Sequence, residues 1–236
     1  MGVVPINLPF LDDSNWKELE ASFSMYGSLT KSVESTVWEF PEGLLVDVGS
    51  SYKESGYQYL FYALVKLLSP IKICEIGVLQ GFSLLSMASA LKINNKGEML
   101  GYDLFDDYEF KNERMINVQS RINEAELNEF TKIKKQDAFS VSSEVEKTDI
   151  LHVDISNNGD TVEQLFLQWK EKVNEIMIFE GGGHARDEID WMVKFQKTAI
   201  SPVLRQLSNQ FQNWQFVTLE AYPSITIIFK HDTFQF

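Results

Sequence analysis

The feature that most limits what this chain can become is a change of rhythm at Pro70. From there onward short apolar runs alternate with longer segments whose apolar residues recur at the helical period. That alternation is how a parallel sheet with crossover helices on its faces reads. The runs Ile71–Ile76, Glu98–Asp103, Phe130–Lys135, Ile150–Asp154, Ile176–Phe179, Phe216–Leu219 and Ile225–Phe229 predict seven strands. Helices are expected between them near 82–92, 113–127, 161–173, 187–197 and 201–211. Only Glu220-Ala-Tyr-Pro-Ser224 separates the last two strands. So short a link cannot hold a crossover, and the two pair antiparallel as a hairpin at one end of the sheet. The fold class is α/β, a doubly wound sheet of seven strands plus N-terminal helices.

Residues 1–69 read differently. Asp12-Asp-Ser-Asn15 is a helix start, and Trp16, Leu19 and Phe23 follow at helical spacing, predicting a helix over about 13–26. Leu44-Leu-Val-Asp-Val-Gly49 is a short strand or a turn. Between Ser55 and Leu68 the positions Tyr57, Leu60, Phe61, Leu64, Leu67 and Leu68 fit a helix, closed where Pro70 pushes Ser69 out of the α region. The segment is aromatic, with Trp16, Phe23, Tyr26, Trp38 and Phe40. It suits a lid packed on the core, or a contact surface for a homo-oligomer. A chain of 236 residues buries one substantial core. One structural domain is therefore expected, with 1–69 as an extension and 70–236 as the core.

Charge narrows the partners. With 34 acidic against 21 basic residues the net charge is −13, a repulsive field for phosphate backbones and anionic headgroups. No nucleic-acid partner is expected. Cys74 is the lone cysteine, so neither an intrachain disulfide nor a thiolate cage is available. The first residues lack a basic stretch followed by an apolar one, and no run reaches the roughly 18 apolar residues of a membrane span. A cytoplasmic, membrane-free protein is the expectation.

The chemistry gathers at strand ends. Lys72-Ile-Cys-Glu-Ile-Gly-Val-Leu-Gln-Gly-Phe-Ser83 is a strand entering a glycine-punctuated turn and then an apolar helix. Gly77 permits a sharp turn at the strand's end, Gly81 permits close approach of a ligand, and the helix start offers free amides to an oxygen-rich group. The next strand ends in Asp103, which in a doubly wound sheet faces a ribose. The third closes in Asp137, placed to accept from an adenine amino group, with Phe105 or Phe139 to flank the ring. A rival glycine turn, Val46-Asp-Val-Gly-Ser-Ser51, lacks both a helix behind it and a strand-end acid at the proper distance.

These residues resemble the class I S-adenosylmethionine-dependent methyltransferases over about 70–230. Glu75-x-Gly-x-x-x-Gly81 stands as the family's first motif, Asp103 as its second-strand acid, Asp137-Ala138 after its third strand and Ile150-Leu-His-Val-Asp154 as its fourth. The resemblance implies a Rossmann-like sheet of order 3-2-1-4-5-7-6 and S-adenosylmethionine as cofactor, bound by Glu75, Gly77, Gly81, Asp103, Asp137 and Ala138. The leading helices are similar to those of small-molecule O-methyltransferases related to catechol O-methyltransferase and the macrocin-type enzymes. The implied activity is O-methylation of a small hydroxylated metabolite or sugar.

Ligands of open α/β sheets bind beyond the carboxyl ends of the strands, and methyl transfer needs mainly positioning, with a base where the acceptor arrives protonated. Asp154 and His184 are the candidate catalytic residues. Asp154 and Glu180, at neighbouring strand ends, are also able to hold a hard cation such as Mg2+. The catechol-type enzymes that the sequence resembles use Asp, Asp and Asn for magnesium. Here Glu180 replaces the second and Gly181 the third, leaving Asn157 or His184 to complete the set. His184 reads as a base, a ligand or, first among the three, an ordinary loop residue. Arg186 reads as an acceptor anchor or as the partner of Asp187 or Glu188, while His152 and the trio Trp191, Met192 and Phe195 read as core. Two other functions stay open: a nicotinamide-dependent oxidoreductase, and a binding protein that kept the fold without catalysis.

Overall fold

The computed structural model describes residues 8–110 and 112–230. Seven strands form one sheet: β1 (Lys72–Ile76), β2 (Glu98–Asp103), β3 (Thr131–Lys135), β4 (Thr148–Val153), β5 (Val173–Glu180), β6 (Trp214–Leu219) and β7 (Ile225–Lys230). Their order is β3-β2-β1-β4-β5-β7-β6. Strands β1 to β5 run parallel, and β7 lies antiparallel between β5 and β6. The sheet order and the reversed strand agree with the sequence reading.

Before the sheet come α1 (Trp16–Ser22), α2 (Leu29–Glu39), the single turn α3 (Tyr52–Ser55) and α4 (Tyr57–Leu68). The crossovers carry α5 (Phe82–Asn94), α6 (Met115–Glu124), the short α7 (Val141–Glu144), α8 (Gly159–Trp169), the short α9 (His184–Asp187) and α10 (Asp190–Lys194), and α11 (Ile200–Gln210). Among the described residues no helix is long and apolar enough to cross a membrane.

Side chains alternate across a strand, so each strand feeds two cores. Ile73, Met99, Ile150, Ile178 and Ile227 join α4, α5 and the N-terminal aromatics Phe10, Trp16 and Phe23 on one face. Cys74, Ile76, Leu151, Val153, Met177 and Phe179 join α8 and α11 on the other. Helix α5 is buried from Phe82 through Leu91, because α4 covers the side that the sheet does not. The same period of two carries Glu75 and His152 onto the face of the N-terminal layer, where both are fully buried and stand in register on β1 and β4.

The differences from expectation lie mainly outside the sheet. The helix expected over 13–26 is the shorter α1, with a 3-10 turn at Pro9–Asp12 before it, and α2 had no clear sequence signal. Of the two readings of residues 44–49, strand or turn, the turn is what forms, over 44–47. The helix expected over 161–173 stops at Trp169, and Val173 already belongs to β5. The helix expected over 187–197 is split into α9 and α10, because Ile189 is extended between them. Of its trio only Met192 is fully in the core, and Phe195 is 60% exposed.

Gly77 fixes how β1 meets β4. Its φ is +92°, and a Cβ there would stand 2.0 Å from the Asp154 carbonyl oxygen, which is backbone and cannot yield. Gly81 has φ +89°, but a Cβ there would meet nothing nearer than Val118 Cγ1 at 3.4 Å. Gly77→Ala should therefore cost about 4 kcal/mol or more, against about 1–2 kcal/mol for Gly81→Ala, measured by urea unfolding. Equal costs at the two positions would contradict this packing.

Candidate functional site

The site is built where β1, β2 and β4 end. Gly77 N–H donates to the Tyr102 carbonyl at 2.8 Å, and Asp154 N–H donates to the Ile76 carbonyl at 2.9 Å, so the three strand ends are tied together. The turn of residues 77–81 is then gripped from β2. Asp103 Oδ2 accepts from the amides of Val78 at 2.7 Å and Leu79 at 2.8 Å, and its Oδ1 accepts from Phe105 N–H at 2.8 Å. That grip holds Leu79 at φ +48°, a left-handed conformation uncommon for a residue with a Cβ. A carboxylate offers about four lone-pair sites. Three are engaged here, and one on Oδ1 is left for a ligand hydroxyl.

The rival turn at Val46–Ser51 has a different task. Gly49 N–H donates to Gln80 Oε1 at 2.6 Å, while Arg121 Nη1 donates to the Gln80 carbonyl at 3.2 Å. The second glycine turn braces the first. At the end of β3, Asp137 is exposed and its Oδ1 accepts from Phe139 N–H at 3.0 Å, with Ala138 half-buried beside it. Phe105 is fully buried in the core, whereas Phe139 is 37% exposed, so of the two only Phe139 has a free face.

A chain of buried polar groups runs behind the strand ends. Ser83 Oγ donates to Glu75 Oε1, and His152 Nδ1 lies 2.8 Å from the same oxygen. On the other side of the imidazole, Nε2 is 3.5 Å from the Tyr52 hydroxyl, which hydrogen-bonds the Asp154 carboxylate. Burial, then the charges of Asp154 and Glu180, hold the Tyr52 hydroxyl well above its usual range, so it stays protonated and donates. Burial raises Glu75 as well, opposed by its bonds from His152 and Ser83. His152 is thus a satisfied buried histidine. Glu75 Oε2 and Asn157 Oδ1 are buried with no partner among the described residues. Unpaired buried acceptors are rare in folded proteins and mark places where a further donor belongs.

The end of β5 departs most from the sequence reading. Arg186 does not pair with Asp187 or Glu188. Its guanidinium turns inward and forks onto Glu180, Nε to Oε1 and Nη2 to Oε2, the latter at 2.9 Å. Burial lifts the Glu180 carboxyl, Arg186 pulls it back, and Asp154 lifts it further. Asp187 instead caps α11, accepting from the amides of Ile200 at 2.6 Å and Ser201 at 3.0 Å. His184 faces outward, its imidazole 82% exposed and 3.5 Å from Glu188. Its loop is pinned, with Gly183 N–H donating to Ser224 Oγ and His184 N–H to Glu220 Oε2.

The structure therefore brings Glu75, Gly77, Asp103 and Asp154 together around one turn, and leaves His184 in solvent. Tyr52 was missed because it lies far from Asp154 in sequence and in a segment without sheet periodicity. The partner of Arg186 was missed because an Arg beside Asp187 and Glu188 reads as a local surface pair.

Residues 74–178 match the family described as a methyltransferase domain. No curated protein matches the sequence. Solved structures do match. A methyltransferase from Podospora anserina bound to S-adenosylhomocysteine superposes with TM-score 0.60 at 15% identity, over 98% of this chain and 100% of that one. The O-methyltransferase TomG from Streptomyces achromogenes, in complex with S-adenosylmethionine, gives 0.56 at 16% identity over 93% and 98%. An O-methyltransferase from Bacillus cereus with S-adenosylhomocysteine gives 0.57 at 14% identity over 85% and 91%. The fold is that of the class I S-adenosylmethionine-dependent methyltransferases. The O-methyltransferase resemblance was read from the helices that precede the sheet, and two of these neighbours of like fold are described as O-methyltransferases.

The buried polar chain makes its own prediction. Tyr52→Phe removes the hydroxyl from Asp154 and His152 and should destabilise the protein by about 1.5–3 kcal/mol in urea unfolding. No change in stability would mean that the hydroxyl is not bonded there.

Proposed function

We propose that this protein transfers a methyl group from S-adenosylmethionine to a hydroxyl oxygen of a small molecule. The observation that carries the reading is the glycine turn of residues 77–81 held by Asp103 at the carboxyl edge of the parallel strands. Such an edge is where open α/β sheets take their ligands. When bound, S-adenosylmethionine supplies an electrophilic methyl on a sulfonium centre. The residues fit it. Asp103 keeps one lone pair for a ribose hydroxyl, Gly77 and Gly81 shape the floor, Asp137 and Ala138 border the adenine end, and Glu75 Oε2 is a buried acceptor without a partner among the described residues.

Asp154 follows β4 at this edge and takes the acceptor's proton as the new oxygen–carbon bond forms. Tyr52 holds that carboxylate in place from behind. His184 would have to leave Glu188 and turn inward to serve the same end, which makes Asp154 the better-placed base. The nicotinamide alternative gains no support from the Glu-x-Gly-x-x-x-Gly turn or from a reversed β7.

Calorimetric titration separates these readings. S-adenosylmethionine and S-adenosylhomocysteine should bind and NAD should not, and Asp103→Ala should weaken the nucleosides by about 1.5–3 kcal/mol. Binding of NAD with no response to either sulfur nucleoside would reverse the assignment.

A further inference from the structure

The family resemblance raises the question of a divalent cation at Asp154 and Glu180, and the residues present do not fit one. Both Glu180 oxygens are taken by Arg186. The Asn157 side-chain amide donates to the carbonyls of Val153 at 3.0 Å and Glu180 at 2.9 Å, which ties this side chain to the backbone of both strand ends, with Oδ1 the one oxygen there that has no partner among the described residues. Position 181 is a glycine with no side chain to offer as a third ligand, and its carbonyl already accepts from Thr226 Oγ1 at 2.8 Å. His184 points to solvent. Among the described residues no three His, Cys, Asp or Glu side chains are grouped to hold a metal.

What stands there is a fixed cation. The Arg186 residue is 5% exposed, and its Nη2 also reaches the Asn157 carbonyl at 3.3 Å. The Trp191 ring covers it, with the guanidinium carbon 5.4 Å from the ring centroid. The charges of both Glu180 and Asp154 act on it. Its Nη1 is buried without a partner among the described residues, a donor in reserve beside the two acids. An arginine side chain does not lose its proton in proteins, so this charge is permanent.

We propose that Arg186 is a built-in replacement for the divalent cation, so that the Asp154–Glu180 edge works on a guanidinium charge and takes up no metal. The role in methyl transfer rests on the function proposed above, but the absence of metal uptake does not, and the two are tested separately. The probe is Mn2+ alone, added in equimolar amount to the full chain and followed by the electron paramagnetic resonance signal of the free ion. The wild-type protein should leave that signal at full intensity. Arg186→Met removes the fork at similar length, frees Glu180 beside Asp154, and should raise Mn2+ affinity at least tenfold over wild type. If circular dichroism shows that this variant does not fold, Arg186→Gln replaces it with the same expectation. Uptake of one Mn2+ by the wild type, lost in Glu180→Gln, would overturn the proposal, as would a folded Arg186 variant as inert as the wild type. Failure of the methyltransferase reading would appear instead as absence of sulfur-nucleoside binding, with the Mn2+ result unaffected.

Discussion

A single carboxylate organises the edge of this sheet. Asp103 closes β2 and takes three backbone amides, two from the glycine turn and one from its own following residues. Hydrogen bonds to an ionised acceptor are roughly twice as strong as neutral ones. They hold a turn that contains a left-handed leucine and a glycine pressed against the backbone of β4. The depth and shape of any pocket above β1 follow from that arrangement. An acid that seems from sequence to await a ribose is already a structural clamp, with one acceptor position to spare.

The second constraint is the alternation of side chains along β1, β4 and β5. It sends Glu75 and His152, and with them the line that continues to Asp154, toward the layer made by residues before Pro70. Buried ionisable groups are costly unless they are paired and hydrogen-bonded. The N-terminal layer meets that cost with Tyr52, and β5 meets it with Arg186 from its following loop. The layer is consequently part of the site, since without it Asp154 and His152 would lose their shared hydroxyl partner.

Much of the fold was legible because strands announce themselves locally. Short apolar runs, a glycine turn and a hairpin too tight for a crossover fixed seven strands, and the family resemblance supplied their order. Helix ends were harder, since the residues that stop them act through space: Ile189 breaks a periodic segment because Arg186 is drawn inward to Glu180 and Asp187 to α11. The glycine turn and its acids were readable as a set. Tyr52 and the true partner of Arg186 were not, because pairing between distant segments leaves no periodic trace. Phe105 shows the same limit from the other side, an aromatic at the right strand end that the core absorbs entirely.

The central claim is that a nucleoside lies on the turn of residues 77–81 with its sugar at Asp103. A crystal structure with S-adenosylhomocysteine tests it most directly. The account predicts a ribose hydroxyl within hydrogen-bond distance of Asp103 Oδ1, the adenine toward Asp137 and Ala138, and the sulfur turned toward Asp154. A nucleoside seated away from this edge, or a ribose with no contact to Asp103, would contradict it.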